Sequence, residues 1–224
     1  WQVLGQQVLM AKMLMPAAIA TQQMSIPQFA ELAGIAQLAG RAQASDPTLT
    51  AEELAYLQAN QARLTPEVMT LLQLPAIPYN LDAWDGYAYE REVILATAKS
   101  LNHNLVVIAG DPHNAWASEV TDSGGDVVGI EFATSSVSSP GLEYYLGLSD
   151  AEMPSTEAAI VSLIADLKYA NLKDRGYLLL SFTQDEVRSD WQYVDTILDK
   201  TFARLEARGF SATSTAGNPK VTAV

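Results

Sequence analysis

The chain contains no cysteine and only two histidines, His103 and His113. Disulfides, thiolate zinc sites and a cysteine nucleophile are therefore excluded within these residues. The absence fits cytoplasm and periplasm equally. Long apolar runs are missing too. The longest candidate, about Val8 to Ala20, is interrupted by Lys12 and Pro16. It falls short of the ~20 apolar residues that a membrane-spanning helix needs. No secretory signal is legible at the start. Positive charge is scarce, with 13 basic against 26 acidic residues and a formal net charge of −13. Nucleic-acid backbones and anionic membrane surfaces call for the opposite sign. The sequence also has no G-x-S-x-G elbow, no P-loop and no dinucleotide glycine fingerprint, so serine hydrolase, nucleotide kinase and Rossmann readings have no support.

What remains is an ordinary globular composition. Hydrophobic residues make up 49% of 224 residues, enough for one substantial core. The chain begins with Trp1 and runs at once into WQVLGQQVLMA. A start at full apolar strength is expected of a processed or partial chain, or of one that has lost only a leader.

Strand and helix signals alternate, which indicates the α/β class. Gln2 to Leu4 reads as a short strand. Residues 17 to 75 read as a helical insertion, rich in Ala, Gln and Leu. Within it, Thr50-Ala51-Glu52-Glu53 is a capping box opening a helix from Ala51 to about Arg63. Thr65-Pro66-Glu67 opens another, with proline where no donor is needed. Leu74 to Tyr79, with two prolines, is expected to be a loop. Asp85 to Lys99 reads as a helix, Leu105 to Ala109 as a buried strand, and Val127 to Thr134 as a strand after a Ser-Gly-Gly-Asp turn. Ser155 to Ala165 reads as a helix. Tyr177 to Phe182 and Val187 to Val194 read as an antiparallel pair, so a mixed sheet is expected. Residues 211 to 224, rich in Ser, Thr, Ala and Gly, are expected to form a flexible tail beyond a 1–210 domain.

One stretch carries the chemistry. NLVVIAGDPHNAW, residues 104 to 116, runs from the apolar strand into Gly110, Asp111, Pro112 and His113. Open α/β folds place ligands at the carboxyl ends of strands. A carboxylate suits a hard cation and an imidazole suits iron or zinc. One ligand to each ion of a two-metal centre is one reading. Gly110 allows a close turn and Pro112 stiffens it. Asn114 and Trp116 are placed to hold ligand orientation and limit water. Equally, Asp111 can cap a helix and His113 can be a satisfied surface residue, because two ligands do not make a site. His103 lies in a polar turn and reads as a surface residue. Asn80 to Tyr87, NLDAWDGY, reads as a helix cap at Asp82 or Asp85 with aromatic packing. SSVSSPG, residues 135 to 141, can hold an anion, as any serine-rich loop can.

Six segments taken in order carry a resemblance. They are WQVLGQQVLMAK at 1–12, NLDAWDGY at 80–87, VVIAGDPHNAWASEV at 106–120, GIEFATSSVSSPG at 129–141, LKYANLKDRGYLLLSFT at 167–183 and DWQYVDT at 190–196. Together they resemble the C-terminal half of the catalytic domain of the alkaline phosphatase D (PhoD-like) family of metallophosphoesterases, from Trp1 to about Thr196. The resemblance implies a calcineurin-like sandwich of mixed sheets flanked by helices, of which this is the C-terminal part. It implies an alkaline phosphatase or phosphodiesterase in the periplasm or outside the cell. It further implies a binuclear centre of iron and calcium and attack by a metal-bound hydroxide on phosphorus. Carried over by position, Asp111 would bind on the calcium side and His113 on the iron side. No catalytic residue is assigned within the chain. The family's other ligands (an aspartate, a tyrosine, a cysteine and an Asn- or Asp-His pair) lie upstream of the WQVLGQQ segment. Activity is thus expected only together with an N-terminal half and a phosphoester substrate. Pro112 stands where Thr, Ser or Val is commoner, and Ser135 where Pro is frequent. The competing expectation is a non-catalytic structural subunit, or an extracytoplasmic calcium-binding one that uses the acidic surface.

Overall fold

The computed structural model describes all 224 residues, and they divide into two compact units, Trp1–Met13 with Asn80–Val224, and Leu14–Tyr79. In chain order, β1 (Gln2–Gly5) leads into an irregular segment and then into the second unit. That unit opens with β2 (Leu14–Pro16) and α1 (Ala17–Ala20), continues through α2 (Ile26–Gln43), α3 (Ala51–Asn60) and α4 (Pro66–Leu72), and closes with β3 (Ala76–Pro78).

Local chemistry sets its helix starts. The Ser25 hydroxyl caps α2, and Thr50 caps α3 by accepting from the Glu53 amide at 3.1 Å. The Glu53 carboxylate accepts from the Thr50 amide at 2.7 Å, which completes the capping box. Thr65 caps α4, where Pro66 opens the helix without a missing bond. Ile26, Phe29, Leu32 and Ile35 give α2 its buried face. The loop expected at Leu74 to Tyr79 is corrected: Ala76–Pro78 pairs antiparallel with Leu14–Pro16. Proline tolerates that position because a two-stranded ribbon has only edges.

The first unit resumes with a 3-10 turn at Trp84–Gly86 and α5 (Ala88–Ser100). Then come β4 (Leu105–Ala109), β5 (Ala115–Thr121), β6 (Val127–Ala133), the short α6 (Leu142–Tyr145), α7 (Met153–Leu163), β7 (Leu167–Asn171), β8 (Arg175–Phe182), β9 (Glu186–Val194), β10 (Phe210–Thr215) and β11 (Asn218–Ala223). Two sheets result. One has the order β1-β4-β6-β5-β7, with β1, β4 and β6 parallel and β5 antiparallel to both its neighbours. The other is fully antiparallel, in the order β11-β10-β9-β8. Thus β8 and β9 pair antiparallel as read, but they lie outside the mixed sheet.

The sheets share a core. Val106, Ala115, Ala117, Ile130 and Phe132 of the mixed sheet pack with Val187, Trp191, Tyr193 and Ala212 of the other. Phe132 meets Trp191 edge-on at 5.6 Å between centroids, and Tyr169 stacks on Phe210 at 3.9 Å. The opposite face of the mixed sheet, with Leu105, Val107, Val120 and Val128, packs against Leu95 and Ala98 of α5 and against Met10 and Ala11.

The flexible tail expected at 211–224 is also corrected. Its residues form β10 from Ser211 onward and all of β11, turning at Gly217 with φ +78°. Within β10, Ala212 and Ser214 are buried. Composition misled because short Ser, Thr and Ala side chains fit a strand whose apolar cover comes from the facing sheet.

Candidate metal-ligand turn

The three parallel strands β1, β4 and β6 end at one edge, and the turn Gly110–Asn114 leaves from the central one. Its backbone is tied on both sides. The amides of Asp111 and Gly110 donate to the Gln7 carbonyl, beyond β1, at 3.0 and 3.3 Å. The Ser136 amide, beyond β6, donates to the His113 carbonyl at 3.0 Å. The His113 amide donates to Gly110 O at 3.2 Å, closing the turn. His113 itself has φ +61°, a left-handed conformation uncommon for a residue with a Cβ and often found at functional sites.

The structure places Asp111 and His113 in this one turn, Asp111 exposed and His113 half-buried. The Asp111 carboxylate makes no hydrogen bond or ion pair, so the helix-cap alternative is not what it does. His113 Nδ1 lies 2.9 Å from the Pro140 carbonyl. A carbonyl can only accept, so the Nδ1 proton points to Pro140 and Nε2 keeps the lone pair in the neutral ring. That is how metal-binding imidazoles are commonly oriented.

Asn114 is buried and spans two loops. Its Nδ2 donates to Leu172 O at 2.5 Å, and its Oδ1 accepts from the Leu142 amide at 2.9 Å. It thereby braces the segment that presents the Pro140 carbonyl. Gly141 is required there, because a Cβ would sit 2.3 Å from Asn114 Nδ2. Trp116 is buried in β5, paired with Ala133 and Ala170, and its indole N–H has no partner. Nothing in the structure brings it to the His113 ring. His103 is exposed, as read.

Two other motifs take different roles. In SSVSSPG, the Ser136 hydroxyl accepts from the amides of Ser138 and Ser139, so it serves the loop itself. Ser135 Oγ is buried without a partner. In NLDAWDGY, neither acid caps a helix: α5 starts without a side-chain cap, and Asp85 accepts from the Met13 amide at 2.8 Å. A cavity of about 450 Å³ opens beside the turn, bordered by Gln6, Gly110, Ser135, Val137 and Tyr177.

Sequence reasoning missed two buried charged residues of the mixed-sheet unit, Glu131 and Arg91. Glu131 of β6 is fully enclosed and accepts from the amides of Met10 and Ala11 at 2.7 and 2.9 Å. Burial pushes its carboxyl up to about 7, against the opposing pull of those amides and of Arg91. Arg91 donates from Nε to Met10 O at 2.7 Å and from an Nη to Thr121 O at 2.9 Å. A charged residue inside the apolar GIEFA run was the available signal.

Asp111 and His113 suit a cation by donor type and by free valence. No group of three or more His, Cys, Asp or Glu side chains comes together to complete a metal site within these residues.

The fold defines a class, an α/β sandwich of one mixed and one antiparallel sheet. The sequence profile of the PhoD-like phosphatase family matches residues 1–191, and the chain belongs to that family. "Alkaline phosphatase D" of Bacillus subtilis (strain 168) is 27% identical over 126 residues, covering 54% of this chain and 20% of that protein. A solved structure described as "Structure of PhoD" matches 100% of this chain and 31% of its own, with a TM-score of 0.58 and 19% identity. That likeness is one of fold. The chain thus spans about a fifth of the curated relative and about a third of the solved one.

Proposed function

We propose that this chain is the part of a phosphoester hydrolase that contributes Asp111 and His113 to a centre of calcium and iron. The observation that carries the reading is the His113 ring, turned by Pro140 so that Nε2 is available, beside an unpartnered carboxylate in one backbone-tied turn. Family membership supplies the reaction class. When bound, the metals would polarise a phosphoryl oxygen and make water a better nucleophile at neutral pH. The chain's own residues orient. Asp111 and His113 hold the cations, Asn114 and Gly141 fix the Pro140 carbonyl, and Gln7 holds the Asp111 amide.

The remaining ligands are proposed to come from sequence outside these residues, the N-terminal half of the same enzyme. Three features support this. Two ligands cannot hold two ions. The relatives are several times longer. Both β1 and β8 are edge strands, and β8 exposes Tyr177, Leu179 and Phe182, an apolar edge that calls for a covering segment. A periplasmic or extracellular location is part of the proposal and rests on the family resemblance alone.

The test is hydrolysis of p-nitrophenyl phosphate by the full-length protein before and after chelation. Activity lost on chelation and restored by iron with calcium supports the proposal. Activity indifferent to chelation overturns the metal reading. Calcium bound without activity favours the calcium-binding alternative, and neither metal nor activity favours a structural subunit.

A further inference from the structure

We propose that Glu131 is a positioning residue for the Asp111–His113 turn, acting through the backbone of residues 7 to 11. Residues 6 to 13 form neither helix nor strand, yet Leu9, Met10, Ala11 and Met13 are buried. Buried backbone groups need partners, and here no ladder supplies them. Side chains and one neighbouring amide do so instead. Glu131 takes the amides of Met10 and Ala11, one on each oxygen. Arg91 takes the Met10 carbonyl, Asp85 takes the Met13 amide, and the Trp84 amide donates to Leu9 O at 3.2 Å. Three residues earlier, the Gln7 carbonyl receives the amides of Asp111 and Gly110.

The segment is therefore held at one end by the sheet interior, and at the other it holds the turn. Glu131 is well placed as the fixed point. It lies in β6, in register with Val107 on one side and Ser118 on the other, in the middle of the mixed sheet. Only a carboxylate offers two acceptor oxygens to consecutive amides at this position. A glutamine would set its own N–H₂ against one of them. Ligand geometry tolerates displacements of only a few tenths of an ångström, so a slack Gln7 carbonyl would reach the turn. Four of the six segments that carry the family resemblance meet in this one network: WQVLGQQVLMAK, NLDAWDGY, the GDPH stretch and GIEFA. The functional meaning of the latch rests on the proposed metal site, but its geometry does not.

Amide hydrogen exchange in the full-length protein tests it, comparing wild type with Glu131→Gln and Arg91→Lys. The expected result is at least a tenfold loss of protection at Met10, Ala11, Gly110 and Asp111, with Val106 to Ile108 and β9 unchanged. Uniform loss across the sheets, or unaltered protection at Gly110 and Asp111, would overturn the proposal, since a purely structural role moves the whole core together. If Glu131→Gln fails to fold, Arg91→Lys, which slackens the same segment from the helix side, decides by the same readout. Local loss at Gly110 and Asp111 in a protein whose parent form holds neither iron nor calcium would keep the latch and overturn the metal reading of the turn.

Discussion

His113 Nδ1 and the Pro140 carbonyl oxygen stand 2.9 Å apart across 27 residues of chain. The contact fixes which ring nitrogen carries the proton and so which one can bind a cation. Nitrogen-resolved NMR of the metal-free protein at alkaline pH should find His113 protonated on Nδ1 and bare on Nε2. The opposite tautomer would contradict the assigned orientation.

Asn114 and Gly141 form the support behind that carbonyl. Gly141→Ala forces a Cβ onto Asn114 and should cost about 1–3 kcal/mol, as overpacking of a closed site does. Asn114→Ala leaves the Leu142 amide and Leu172 carbonyl unpaired, at about 1–3 kcal/mol each. It should also weaken metal retention by roughly 10–100-fold, the usual effect of removing an outer support. Chemical denaturation and metal titration of the full-length protein check both.

Glu131 sets a pH dependence. Its folded-state value of about 7 lies above its ordinary 4.5 because burial disfavours the charged form. Between those values the folded state binds more protons than the unfolded one, so its contribution to stability falls as pH rises. The contribution is fully present below about pH 4.5 and is lost by about pH 7, a change of roughly 3 kcal/mol. The slope of stability against pH in this window should flatten in Glu131→Gln. An unchanged slope would show that another group titrates there.

The 211–224 segment completes a sheet. Deleting it removes most of β10 and all of β11, including buried Ala212, whose carbonyl accepts from Ser189 at 3.0 Å. Cooperative thermal unfolding should be lost or shifted down by many degrees. A deletion variant as stable as the parent would restore the flexible-tail reading.

These cases mark what the sequence made legible. The capping box from Thr50 to Glu53 spans only four residues, and it formed as read. The strand Leu105–Ala109 and the pair β8–β9 announce themselves by apolar runs and a short turn. β5 was missed because AWASEVT mixes small and polar residues, and its burial comes from the facing sheet on one side and from α5 with Met10 and Ala11 on the other. β10 and β11 were missed for the same reason. The two ligand candidates were legible from strand-end position and donor type. Their support was not, because Pro140, Leu172 and Glu131 become neighbours only through pairings as distant as the 121 residues between Met10 and Glu131.

The central claim is that Asp111 and His113 each hold a cation. The most direct measurement is elemental analysis of the purified full-length protein beside its Asp111→Ala and His113→Ala variants, each with its fold checked by circular dichroism. The account predicts iron and calcium in the parent, loss of calcium in the first variant and loss of iron in the second. Unaltered metal content in both folded variants would contradict it.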